Sequence, residues 1–153
     1  MNKKINIINK KAKFEYTLMD QFSAGIVLTG TEIKSIRANK ASISESFCEF
    51  NDAGELFIIN MFIDEYSFGN QFNHKTRSQR KLLLNKKELN KLFKQVKNTG
   101  LTIIPLKVFI NDKGYAKVLI SLAKGKKIYD KRQSIKNREN KIQLDRIKKE
   151  KNN

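Results

Sequence analysis

The sequence predicts a mainly β protein: a small closed antiparallel barrel with two to three short helices and a basic C-terminal tail that is intrinsically disordered when free. Three observations carry that expectation. Between Phe14 and Ala123 about six runs are rich in β-branched and aromatic residues, and the last alternates apolar with polar residues like a half-buried strand. Two further runs place apolar residues at helical spacing behind a residue suited to capping. After Leu122 both patterns stop. The stretch LAKGKKIYDKR opens a segment of Lys, Arg, Asn and isolated Ile that has no means of building a core. The expected division is a folded unit over 1–123 and a tail over 124–153.

Taken in order, residues 1–13 are a basic arm whose Ile5, Ile7 and Ile8 suit an edge strand. Phe14 to Met19 and Ala24 to Leu28 read as two strands. TGTEIKSIRAN, from Thr29, reads as a short helix: Thr29 caps it, and Glu32 three residues on completes a capping box. Ile33 and Ile36 are expected to face the core while Lys34 and Arg37 point elsewhere, and Asn39 suits a left-handed end. Glu32 thus has a purely local use, a cap worth ~1 kcal/mol, alongside any functional one. Ser46 to Phe50 and Glu55 to Asn60 form a hairpin around Asn51–Gly54. Met61 to Phe68 is apolar but broken by Asp64 and Glu65, and residues 69–81 form a polar loop with four cations.

Leu82 to Leu84 reads as a short strand leading into the second helix. There Asn85 caps, Glu88 sits at the third position, and Leu89, Leu92, Phe93 and Val96 follow at helical spacing before Gly100. Its other face shows Lys87, Lys91, Lys94 and Lys97. Leu101 to Ile110 and Tyr115 to Ala123 are strands joined by the turn Asn111-Asp112-Lys113-Gly114, with Pro105 marking a bulge or an edge. This set of elements fits an OB-type barrel, an architecture whose open face is a nucleic-acid platform.

Net charge is +17 over 153 residues, far beyond what solubility requires, and points to a polyanion: nucleic acid or an anionic membrane surface. Residues 124–153 hold 12 Lys and Arg against 4 Asp and Glu, a net of +8, and residues 1–123 hold 20 against 11, a net of +9. A body and a tail that are both basic suit a large shaped anion better than a nonspecific arm would. In the hinge, Lys124, Lys126, Lys127, Lys131 and Arg132 suit phosphate oxygens, Gly125 frees the backbone, and Tyr129 offers a flat face to a base. The same residues also fit a solvated linker. Further on, Ile128, Ile135 and Ile142 recur every seven residues. A stripe one residue wide cannot offset an ordering cost of roughly 1–2 kcal/mol per residue, so the tail is expected to be helical only in a groove.

Cys48 is the only cysteine, which fits a reducing cytosol. No apolar run follows the basic N-terminus and no stretch has transmembrane length, so a cytoplasmic protein is expected. No Gly-rich phosphate loop, cysteine pair or nucleophile elbow occurs, and the adjacent Asp64 and Glu65 would face opposite ways on a strand. His74, the only histidine, lacks a partner at metal-site spacing and reads as a surface or RNA-contacting side chain. No metal, cofactor or enzymatic activity is expected.

Five segments, in order and at matching spacing, resemble the SsrA-binding protein family (small protein B), the bacterial partner of transfer-messenger RNA. They are NKKAKFEY at 9–16, AGIVLTGTEIKSIRANKAS at 24–42, GN at 69–70 with FNH at 72–74, RKLLLNKKEL at 80–89 and AKGKKIYDKR at 123–132. The resemblance implies an OB-fold that grips the tRNA-like domain of transfer-messenger RNA. It implies a tail that enters the decoding centre and empty mRNA channel of a stalled 70S ribosome and becomes helical there. Tagging of the nascent chain and ribosome rescue would follow without covalent chemistry by this protein. The implied partners are that RNA and the ribosome, with no membrane and no DNA, and the chain is expected to be a monomer.

By position, the resemblance implies RNA binding or its integrity for Asn9, Tyr16 and Leu83, with packing as the alternative for Leu83. Glu32, Lys34 and Arg37 belong to the signature helix, and Asn73, His74, Arg80 and Lys81 to the matching middle segments; all seven join the RNA-binding set. Lys124, Gly125, Lys126, Lys127, Tyr129, Asp130, Lys131 and Arg132 form the tail signature, acting on the ribosome after RNA is bound. Ser23 stands where many members carry an acid, Asn39 replaces a usual Gly, and loop 75–79 lacks the family's prolines and is expected to be floppier. A structural ribosomal protein, also small, basic and tailed, is the competing reading.

Overall fold

The computed structural model describes residues 5–69, 72–97 and 101–126. In chain order these form β1 (Asn6–Ile8), α1 (Ala12–Glu15), β2 (Tyr16–Ile26), α2 (Gly30–Arg37), β3 (Ala41–Ser42), β4 (Phe47–Phe50) and β5 (Leu56–Ile59). β6 (Phe62–Ile63), β7 (Arg80–Leu83), α3 (Lys86–Val96), β8 (Leu101–Ile110) and β9 (Ala116–Gly125) follow. Every pairing is antiparallel. β2 pairs with β7, β7 with β5, β5 with β4, β4 with β8, β8 with β9, and β9 returns to β2, so six strands close a ring. The mainly β, OB-type expectation holds.

The long pairs are local in cause. β8 and β9 flank the turn Asn111–Gly114, where Asn111 accepts from the Tyr115 N–H through its side chain and Gly114 takes φ +85°. The β4–β5 hairpin is built the same way, with Asn51 Oδ1 accepting from Ala53 and Glu55 and Gly54 at φ +80°. The narrowest seam is β4–β8, which carries the single partner pair Cys48↔Ile103. α3 braces it: Leu92 is buried, and Phe93 meets Phe50 edge-on at 5.3 Å between ring centroids. Inside the ring Ile36, Leu56, Ile58, Val118, Ile120 and Leu122 are fully buried.

Several boundaries differ from the sequence reading. β2 is one strand of 11 residues rather than two, with a register shift between Leu18 and Gln21. A bulge inserts one unpaired residue and breaks the period-two pattern, so it imitates a strand end. The anticipated bulge at Pro105 is present, between Pro105 and Lys107. Of Ile33 and Ile36 only Ile36 is fully buried; α2 turns Glu32 and Ser35 inward with it, while Ile33 is half-buried. Asn39 has φ +62°, as its place after the helix required. Only Phe62 and Ile63 of the 61–68 run form a strand, pairing with β3.

Two further differences concern the ends. The one-turn α1 covers a small outer cluster of Ala12, Ile104 and Ala123, with Tyr16, Leu18 and Leu106 packed on it. β9 runs to Gly125, past the expected end at Ala123: Lys124 pairs with both Thr17 and Leu101, Gly125 with Tyr16, and the Lys126 N–H donates to Glu15 O at 2.9 Å. The expected helix stop Gly100 and the stripe of Ile128, Ile135 and Ile142 lie outside the described residues.

Because Ile36 anchors α2 in the ring and Ile33 does not, the two truncations should separate. Ile36→Ala is expected to cost about 2–5 kcal/mol of unfolding free energy in urea denaturation, and Ile33→Ala distinctly less. Equal costs would mean that α2 sits on the ring differently.

Candidate nucleic-acid interface

At the start of α2 the capping box is complete. The Thr29 hydroxyl accepts from the Glu32 N–H at 3.4 Å, and Glu32 Oε1 accepts from the Thr29 N–H at 2.9 Å. The other oxygen, Oε2, receives Arg80 Nε in a short ion pair. Arg80 Nη1 donates to Met61 O at 2.7 Å, and Nη2 to Lys75 O and Thr76 O at 3.1 and 3.2 Å. Burial alone would raise the pKa of the Glu32 carboxyl. The Thr29 N–H and the Arg80 guanidinium outweigh that and hold it below its usual value.

Glu32 is 4% exposed and Arg80 3%. Both were expected among the RNA-binding side chains, but neither charge reaches solvent. The cause is strand parity: on β7, Arg80 and Leu82 point into the ring while Lys81 and Leu83 point out.

Asn73 and His74 are likewise occupied. Asn73 Oδ1 accepts from the Tyr66 N–H at 3.0 Å and its Nδ2 donates to Tyr66 O at 2.7 Å. His74 Nε2 lies 3.0 Å from Ile63 O. A carbonyl can only accept, so Nε2 donates to it, and Nδ1 shares a hydrogen bond of 2.8 Å with the Thr31 hydroxyl. His74 is therefore a half-buried clamp between loop and helix. Loop 75–79 is tethered through Lys75 O and Thr76 O, and the Ile63 N–H also donates to Thr76 O. Asn9 is buried too: its N–H donates to Leu106 O and its Nδ2 to Pro105 O, pinning β1 to the bulge of β8, while its buried Oδ1 has no hydrogen-bond partner among the described residues.

The outward side chains assemble a surface across β7, β2, β9, β8 and β1. Ladder partners give one outer row of Leu83, Gly25, Lys117, Phe109 and Asn6. A second row runs through Ser23, Leu119, Lys107 and Ile8. Leu83 is 51% exposed. Leu83 and Lys117 lean together over Gly25, where a Cβ would sit 3.4 Å from Leu83 Cβ and 3.7 Å from Lys117 Nζ. Lys107 Nζ stands 5.3 Å over the Phe109 ring. Beside these rows Lys10, Lys13, Lys107, Leu18, Leu106 and Asn9 line a groove of 480 Å³. Tyr16 lies half-buried on the outer cluster next to it.

Three expected cations are at the surface. Lys81 pairs with Glu55, Lys34 Nζ stands 5.4 Å from the Tyr66 ring, and Arg37 reaches Gly114 O at 3.5 Å. Lys124, Gly125 and Lys126 belong to the end of β9 and its first hydrogen bond beyond it. Lys127, Tyr129, Asp130, Lys131 and Arg132 lie outside the described residues. Lys107 and Lys117 were not singled out from sequence, although alternation along β8 and β9 already sets them outward. Among the described residues no group of three His, Cys, Asp or Glu could hold a metal ion, and no helix is long and apolar enough to cross a membrane.

Fold and surface together define a small, strongly basic OB-type protein whose outer sheet face mixes lysines with exposed apolar side chains. The model of the SmpB protein family matches residues 6–150. Over 150 residues the chain is 64% identical to the SsrA-binding protein of Flavobacterium psychrophilum, spanning 98% of this chain and 99% of that protein. It is 64% identical to the SsrA-binding protein of Christiangramia forsetii, spanning 98% and 95%. A solved structure described as "tmRNA-SmpB: a journey to the center of the bacterial ribosome" matches with a TM-score of 0.68 and 45% identity, over 81% of this chain and 86% of that one. This chain belongs to the SmpB family.

Glu32→Gln leaves the Arg80 charge buried without its counter-charge and should cost about 3–5 kcal/mol at pH 7. Since the folded pKa of Glu32 is depressed, the stabilisation it gives is full above the unfolded value and fades as pH falls through the folded one. Denaturation curves should therefore show the variant approaching wild type below the ordinary 4.5. A gap that stays constant down to strongly acid pH would contradict this account.

Proposed function

We propose that this chain is the RNA-binding adaptor of trans-translation. In this reading the ring binds the tRNA-like domain of transfer-messenger RNA and carries it to stalled ribosomes. The tail, leaving the ring after Lys124, Gly125 and Lys126 at the end of β9 and running from Lys127 through Tyr129, Asp130, Lys131 and Arg132, enters the decoding centre and mRNA channel. Nascent-chain tagging and release of the ribosome follow, and the protein itself makes or breaks no covalent bond.

The observation that carries the reading is the outer sheet face. Lys107 and Lys117 stand among Leu83, Leu119 and Phe109 on a face that runs from β7 through β2, β9 and β8 to β1, on a chain of net charge +17. Lysines supply the salt-dependent attraction to phosphates, and apolar and aromatic side chains supply contact with sugars and bases. Membership of the SmpB family and the naming of its relatives as SsrA-binding proteins support the choice of RNA. Asp130 lowers attraction for RNA within a basic run, and its use is to pair with a neighbouring cation or to start the induced helix.

Native purification followed by sequencing of the accompanying RNA tests the reading directly. A single dominant RNA with a tRNA-like end and an internal reading frame is expected; ribosomal RNA in bulk would instead indicate a structural ribosomal protein. A fragment ending at 126, which keeps β9 whole, is expected to hold RNA at close to full-length affinity in gel shifts. Replacing Asp130, Lys131 and Arg132 together by Ala should spare that complex and abolish tagging. Arg37→Ala should leave the melting curve unchanged while lowering the slope of log affinity against log salt by about one. Unfolding of Arg37→Ala with intact affinity per folded molecule would reverse its assigned role.

A further inference from the structure

We propose that Phe68 and Phe72, carried on a loop whose base is anchored to α2, form a platform on which unpaired nucleobases of the bound RNA stack. This rests on the RNA-binding reading above and adds to it a stacking role for two aromatic side chains, Phe68 and Phe72, to which no RNA-binding part has been given, on a surface apart from the outer sheet face. Phe68 is 80% exposed and Phe72 82%, the two most exposed large apolar side chains among the described residues. Water is a poor partner for both rings, and among the described residues little covers them.

The loop is built to hold them there. Asn73 ties both backbone groups of Tyr66, so the base of the loop is closed as a pair of strands would close it. Within it the Gly69 N–H donates to Tyr66 O at 2.9 Å and the Phe72 N–H to Gly69 O at 3.2 Å. Gly69 has no space for a side chain: a Cβ would lie 2.6 Å from Asn73 Nδ2, 2.9 Å from Asn73 Cγ and 3.1 Å from Thr31 Cγ2. The loop is thus pressed against the first turn of α2, and His74 bonds to Thr31 beside that contact. Anchoring the base of the loop lowers the ordering cost of binding at Phe68 and Phe72.

Its chemistry suits a base rather than a protein. Tyr66 meets Phe68 edge-on, with centroids 5.6 Å apart and planes at 68°, and Lys34 Nζ stands 5.4 Å from the Tyr66 ring. Flat rings with a cation alongside match a base with its phosphate alongside, the arrangement by which single strands are held without sequence preference. The strong positive charge of the chain favours an anionic strand over most protein surfaces.

The full-length protein and a tRNA-like RNA carrying 2-aminopurine at each unpaired position in turn provide the test. Wild type is expected to bind and to change the probe's fluorescence at one or two positions. Phe68→Ala with Phe72→Ala should abolish that change and weaken binding roughly 10-fold for each base lost. The salt slope and the melting temperature should stay where they are, because no cation and no core contact is removed. Tyr at both positions should preserve signal and affinity, whereas Leu should behave as Ala does. A double Ala variant that binds and reports like wild type overturns the platform and leaves the RNA-binding reading intact, and so does full rescue by Leu. A loop variant that loses a protein partner but no RNA affinity also overturns it. Wild type that fails to bind the RNA at all overturns both.

Discussion

One desolvated ion pair fixes the α2 end of the ring. Taking Glu32 and Arg80 out of water costs several kcal/mol for each ion, and their attraction offsets this only if the remaining donors and acceptors are also matched. Here they are. Both Glu32 oxygens accept, one from the helix's own first turn, and Arg80 spreads its nitrogens over Glu32, Met61, Lys75 and Thr76. Helix α2, strand β7, the approach to β6 and the loop before β7 therefore share one set of bonds. None can shift without leaving a buried polar group unmatched, which is the condition that makes this a fixed joint rather than an average contact.

The joint explains a division within the family signature. Glu32, Arg80, Asn73 and His74 have their side-chain polar atoms committed inside the protein, Asn9 is buried with its Nδ2 committed, and Lys34, Arg37, Lys81 and Leu83 stand outside. The first group shapes the positions from which the second acts. Lys34 sits over Tyr66, whose backbone is held by Asn73, and Thr31 on the same helix turn is held by His74. A replacement in the first group moves a surface it does not belong to. Weak binding alone cannot tell such an effect from a lost contact, and stability measured beside affinity can.

Local patterns made most of the elements legible. The capping box at Thr29, the cap at Asn85 and the two Asn–Gly turns act within a few residues, and each is present; the alternation along β9 is present from Ala116 to Ile120 and then gives way, with Ser121, Leu122 and Ala123 all buried. What the sequence hid depends on distant partners. Arg80 reads as a surface cation because the carboxylate that buries it lies 48 residues earlier. The β2 bulge and the continuation of β9 through Lys124 are set by strands that come together only on closure of the ring. Lys107 and Lys117 look ordinary one at a time and acquire a shared face only through the β8–β9 register.

That register also fixes the point at which the described chain ends on the ring. Lys124 is paired on both sides, to Thr17 and to Leu101, and Lys126 is bonded to Glu15 through its N–H and to Lys13 O through Nζ at 3.0 Å. The chain therefore leaves the ring from a point fixed by three neighbouring segments, not from a frayed strand end. Gly125, which in isolation would free the backbone, is held opposite Tyr16 within the sheet. Tyr16 in turn packs on the outer cluster beside the groove at Asn9. The groove at Asn9 and the end of β9 are thus positioned by the same strand pair, β2 with β9, and coupling between the two places needs no moving part, only the ladder they share.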